Sequence, residues 1–168
     1  MDAANGKVAF FVQQFQISLT EGAKDFTAVV YFDGTDLRVI MDTETPVAAG
    51  DGFIQPDLNK VETVRLDADG DSFVFTARVG DDPNARAYFY YDGNTVHKVV
   101  ENGVPMPDGT ILDISLEATP LGEEGVPIVA DDAVLFVATN SEGGTGLYRW
   151  TVADGATRII EPTILENT

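Results

Sequence analysis

The chain has 168 residues, 44% of them hydrophobic, and its 28 acidic and 10 basic side chains give a net charge of −18. That size fits one domain or one piece of a repetitive domain, with apolar content sufficient for a core. Such a charge repels a phosphate backbone and an anionic membrane surface, so neither nucleic acid nor membrane insertion is expected. No cysteine is present, which excludes disulfides and thiolate metal sites.

Residues 1–20 carry no basic n-region or cleavage site. Met1 directly precedes repeat material, so the start reads as an excised or mature segment with an added initiator. Any export signal would then belong to a parent sequence. The acidic excess is mostly aspartate, 18 Asp against 10 Glu, a residue that favours turns by bonding nearby backbone amides.

From the N-terminus, the polar turn Asp2-Ala3-Ala4-Asn5-Gly6 leads into a strand predicted at 7–12, which Phe15, Ile17 and Leu19 extend by alternation. An aromatic strand at 26–32 ends on Asp33-Gly34 and is followed by a strand at 37–42. Asp-Gly between apolar runs is a hairpin signal, because both residues tolerate positive φ. Pro46-Val47-Ala48-Ala49-Gly50 reads as a connection, and a strand at 60–66 completes a first set of four.

The same order then returns. The turn Asp67-Ala68-Asp69-Gly70-Asp71 precedes strands at 72–79 and 86–91, the second ending in Tyr88-Phe89-Tyr90-Tyr91 and closing on Asp92-Gly93. Strands at 96–101 and 111–117 flank the connection Pro105-Met106-Pro107-Asp108-Gly109. A third pass gives 126–130, the turn Asp131-Asp132, 133–139, 146–151 and, after Asp154-Gly155, 157–161. Phe10, Phe75 and Phe136 align at separations of 65 and 61, and the Asp-Gly pairs at 59 and 62. Two anchors recurring in one order at nearly one period indicate a tandem repeat.

The expected fold is therefore all-β: one domain, 1–168, of three four-stranded antiparallel units at about 1–60, 61–125 and 126–168, each like a β-propeller blade. A β-sandwich is the alternative, disfavoured because sandwiches rarely repeat a four-strand unit in tandem. Three units do not close a flat ring, so further copies of the chain or adjoining repeats are the expected partners.

The pattern Asp-x-x-(Asn)-Gly-x-Val-x-Phe, with the Asn optional, then an aromatic strand with Asp-Gly, then Gly-x-Pro (Gly103-Val104-Pro105) resembles a known group. It is similar to the tandem β-propeller-like repeats of exported bacterial surface proteins, many ending in sorting signals of the PEP-CTERM type. The third copy departs from the pattern, with no Asn-Gly before Val134 and added residues between Trp150 and Asp154. The resemblance implies an extracellular or cell-surface, non-enzymatic structural or adhesive repeat module. It implies no catalytic residues.

Asp67, Asp69 and Asp71 alternate as in acidic calcium loops, so they form the one candidate metal site, beside the plainer reading of a tight turn. A complete EF-hand loop needs Gly at its sixth position and Glu at its twelfth, where this chain has Ser72 and Arg78. Calcium is thus the only ion in view, and no cofactor is expected. Asp113 and Glu117 share a strand face and are the more interesting carboxylate pair for acid/base work, against the simple account of a wet strand face. His97 is the sole histidine, which rules out a multi-His zinc site and leaves it an exposed or half-exposed strand residue. No Gly-x-Ser-x-Gly elbow exists. Tyr88–Tyr91, Tyr148 and Trp150 could stack on carbohydrate if exposed, which supplies the second functional reading, a polysaccharide-binding or polysaccharide-cleaving propeller. Strand alternation requires at least half of them to be core.

Overall fold

Runs of Val, Phe, Tyr and Ile broken by Asp and Gly suit short pleated strands, and strands are what form. The computed structural model describes residues 1–18, 22–42, 47–49, 52–54, 58–79, 86–106, 110–114, 127–141 and 144–160, and among these there is no helix. The protein is all-β, and its sheets are antiparallel apart from one parallel contact.

The first sheet is a meander of β1 (Asp2–Ala4), β2 (Lys7–Ser18), β3 (Gly22–Phe32) and β4 (Leu37–Asp42). After it come two short strands, β5 (Val47–Ala49) and β6 (Gly52–Ile54). The second sheet is the meander β7 (Leu58–Leu66), β8 (Phe73–Val79), β9 (Arg86–Tyr91) and β10 (Val96–Glu101). The pair β5–β6 extends it beside β10, through the parallel partners Val96 and Ala49. β11 (Leu112–Asp113) and β12 (Ile128–Ala130) both pair with β13 (Ala133–Asn140), which continues the third sheet through β14 (Thr145–Thr151) and β15 (Gly155–Ile160).

Four expectations need correction. The strand at 60–66 pairs with β8, so it opens the second sheet instead of closing the first. The opening turn is confined to Asn5-Gly6, since Asp2–Ala4 already pairs with β2, and the supposed connection at 46–50 contains strand β5. Of the strand at 111–117, Leu112 and Asp113 pair with β13 and Ile111 bridges to Pro105; residues 115–117 lie outside the described residues.

The three meanders share register. Phe10, Phe75 and Phe136 lie opposite Val30, Phe89 and Tyr148. Five residues before each Phe stand Asn5, Gly70 and Asp131, all with positive φ, at 48°, 74° and 51°. The pairing of the last two strands slips once in each sheet, leaving out Ile40, Val99 and Ile159 respectively. These β-bulges fall at equivalent places, one position past the partners of Val30, Phe89 and Tyr148.

The second sheet lies between the other two. Its Phe73, Phe75, Phe89 and Tyr91 pack with Ala9, Val29, Tyr31 and Met41 of the first sheet. Its Val74, Tyr88, Tyr90 and Val100 pack with Val134, Phe136, Tyr148 and Trp150 of the third. Rings meet across both seams: Tyr31 and Phe73 at 5.5 Å, Tyr88 edge-on to Phe136 at 5.7 Å, Tyr90 edge-on to Trp150 at 5.7 Å. Strands buried on both faces read as continuous apolar runs, which explains Tyr88-Phe89-Tyr90-Tyr91. Two seams on one sheet also exceed what a two-layer sandwich provides. Phe75 and Phe136 are buried as their alignment implies, whereas Phe10 is only half-buried, because it lies on the face of the first sheet turned away from the second.

Candidate functional site

The charged side chains with defined partners serve turns first. Asp33 Oδ1 accepts from the backbone N–H groups of Thr35 and Asp36 at 2.9 and 2.8 Å, while Arg38 Nη2 donates to Oδ2 at 2.6 Å. Asp92 repeats the device: Oδ1 accepts from Asn94 and Thr95 at 2.8 and 2.6 Å, and His97 Nε2 lies 2.8 Å from Oδ2. Gly34 and Gly93 follow with φ of 98° and 91°, a conformation that other residues adopt at a cost. The Asp36 and Thr35 amides hold the Asp33 carboxyl below its ordinary range, with Arg38 adding to them. Burial works against ionisation of Asp92, but His97 and the Thr95 and Asn94 amides outweigh it, and its pKa is lowered too. The signal for both side-chain partners was in the sequence, with Arg38 and His97 each five positions after the Asp of an Asp-Gly pair, Asp33 and Asp92.

His97 is buried instead of exposed, with Tyr90 and Trp150 rings 6.3 and 6.0 Å away. It stands at the head of a groove of about 530 Å³ between β10 of the second sheet and β14–β15 of the third, walled by Val100, Met106, Trp150, Val152 and Ala156. The one carboxylate there among the described residues, Glu101, receives Lys98 Nζ at 3.4 Å. A related gap of about 440 Å³ lies between β4 and the β9–β10 hairpin, lined by Arg38, Ile40, Tyr91 and Val96. Both grooves occupy the same place in successive pairs of sheets, between their last strands. They follow from stacking of the sheets.

Asp67, Asp69 and Asp71 do not converge. Asp67 accepts from the Ser72 hydroxyl at 3.0 Å and from its N–H at 3.4 Å, Asp71 pairs with Lys7 of the first sheet, and Asp69 is exposed. Among the described residues no three His, Cys, Asp or Glu side chains are placed to share a metal ion. Alternation along the sequence suggested a shared site, but Asp67 turns to Ser72, Asp71 to Lys7 and Asp69 to solvent. Asp113 is exposed on β11, and Glu117 lies outside the described residues. Tyr88, Tyr90, Tyr91, Tyr148 and Trp150 are buried in the seams, so these rings form no open stacking platform.

Sequence reasoning missed the links between sheets. The Tyr31 hydroxyl donates to the Gly70 carbonyl at 2.7 Å, and Lys7 reaches Asp71 beside it. Asp2 Oδ2 also accepts from the Leu66 N–H at 2.9 Å. Comparison with known protein families, curated proteins and solved structures found no match to this chain.

Proposed function

We propose that the chain is a non-catalytic structural or adhesive repeat module of a secreted or cell-surface bacterial protein, built from three β-propeller-like blades. The observation that carries this reading is the second sheet, buried on both faces by neighbours that meet it through equivalent residues of the repeat. Such a stack uses its aromatic side chains for adhesion between units and its aspartates for turns. What it offers to solvent is a rigid series of acidic hairpin loops. The resemblance to exported bacterial repeats, together with a high negative charge that favours solubility, supports a place outside the cell.

Trp150 is the only tryptophan and forms part of the larger groove, so its emission reports on occupancy there. The test is a titration of the folded protein with bacterial polysaccharides, with and without calcium, following Trp150 fluorescence and the release of reducing ends. Unchanged emission and no released ends are expected. New reducing ends would replace this reading with the polysaccharide-cleaving one, and a saturable emission change with the polysaccharide-binding one.

A further inference from the structure

Between successive sheets the contact always has the same sense. One face of each unit, the one holding Ala9, Val29 and Tyr31 or Val74, Tyr88 and Tyr90, covers the Phe-bearing face of the next. Two faces of the same design lack such a neighbour among the described residues. On the first sheet, Phe10, Val12, Val30, Leu37 and Val39 lie on the Phe-bearing side, with Leu37 66% and Val39 59% exposed, Phe10 half-buried and Val30 buried. On the third, the side opposite Phe136 carries Ile128, Leu135, Val137, Leu147 and Arg149, with Ile128 51% exposed.

The internal seams specify what fits these faces. Register places Tyr31, Tyr90 and Arg149 at one position, each following the partner of the aligned Phe. Tyr31 donates to the carbonyl of Gly70, a turn residue of the following sheet, and feels the charge of Asp71 there. Tyr90, at the same position of the second sheet, packs edge-on to Trp150 of the third at 5.7 Å. The last unit substitutes a guanidinium, a donor with no acceptor capacity, in a chain of net charge −18. The turn residue equivalent to Gly70 in the first unit is Asn5, which is exposed.

We infer that the third sheet of one copy stacks on the first sheet of a second copy, head to tail, with Leu135, Val137 and Leu147 against Phe10 and Val39, and Arg149 donating to the Asn5 turn. The contact continues the two internal seams under the same operator, and it rests on the three-unit reading proposed above. It is heterologous, so it propagates or closes a ring according to the rotation per unit. Mutual repulsion of the acidic copies opposes it, so salt strengthens it. In about 1 M salt the screening length falls to about 3 Å.

The test is sedimentation over a concentration series at low and high salt, using the wild type, Val39→Asp for one face and Leu147→Asp for the other, with Ile128→Asp as a second variant of that face. Circular dichroism melts identify variants that fold. The wild-type mass should rise with concentration and salt, and each folded single-face variant should remain monomeric. An equimolar mixture of the two should form a dimer and nothing larger, since one intact face of each kind remains. A wild type that is monomeric throughout overturns the inference, as does a folded pair that fails to complement, or a single variant that dimerises alone. Amide exchange separates this failure from failure of the three-unit reading. Strongest protection on β8 and β9 in a monomer leaves the stacked units standing, whereas weak protection there removes them as well.

Discussion

The hydroxyl of Tyr31 donates to the carbonyl of Gly70 across 2.7 Å, tying the third strand of the first sheet to the turn between the first two strands of the second. The bond is buried, and burial pushes the Tyr31 phenol above its ordinary pKa, so the neutral donor persists. It adds a buried directional contact to the seam. Tyr31→Phe keeps the ring packing and removes only the donor. The expected loss is about 0.5–1.5 kcal/mol in urea unfolding, the usual net worth of one hydrogen bond. An unchanged midpoint with an unchanged slope would mean that the bond adds nothing to the seam.

Gly70 has φ of 74°, and a Cβ there would come within 2.6 Å of the Ala4 carbonyl oxygen. Gly6, at φ of 78°, has nothing within 4 Å of the same added atom. Gly6→Ala should therefore cost about 1–2 kcal/mol from left-handed backbone strain alone. Gly70→Ala should cost clearly more, because the first and second sheets must also move apart. Equal losses for the two variants would show that the approach of Ala4 is not energetically tight.

Phe75 is fully buried against the first sheet, while Phe10, at the aligned position, is half-buried. Phe75→Ala should cost about 3–5 kcal/mol, as for large truncations in a core. Phe10→Ala should cost less than half of that in dilute monomer. Comparable losses from chemical denaturation would place Phe10 in a covered core.

Acid should loosen the second hairpin. Asp92 is held below its ordinary pKa of 3.8, so its contribution is present above that value and is lost as pH falls through 3.8 and then through the lower folded value. Asp92→Asn should be less stable than wild type at neutral pH, and the gap should close between about pH 5 and pH 2. Unfolding free energies of the two proteins across that range check it. A gap independent of pH would show that the Asp92 charge plays no part.

The strands at 37–42, 86–91 and 96–101 have the bounds that the sequence implies, because Asp-Gly turns mark where each hairpin closes. β1 and β5 were not legible: three residues of small or polar character become strand only by lying beside a partner. The 60–66 strand was visible as a strand but not as a member of the second sheet, since alternation defines a face and leaves the pairing partner open. His97 shows the same division. Its strand could be read, while its burial depends on Trp150, which comes from another sheet.

The sequence by itself determined the all-β class, the recurrence of one motif order and the turns, because all of these rest on contacts between residues close along the chain. Only the tertiary structure decided that the second sheet is enclosed on both faces, that Tyr31 and Lys7 meet the turn at Gly70 and Asp71, and that Asp67, Asp69 and Asp71 part company. Those outcomes depend on which sheet lies against which, and side-chain periodicity along one strand carries no information about what covers it.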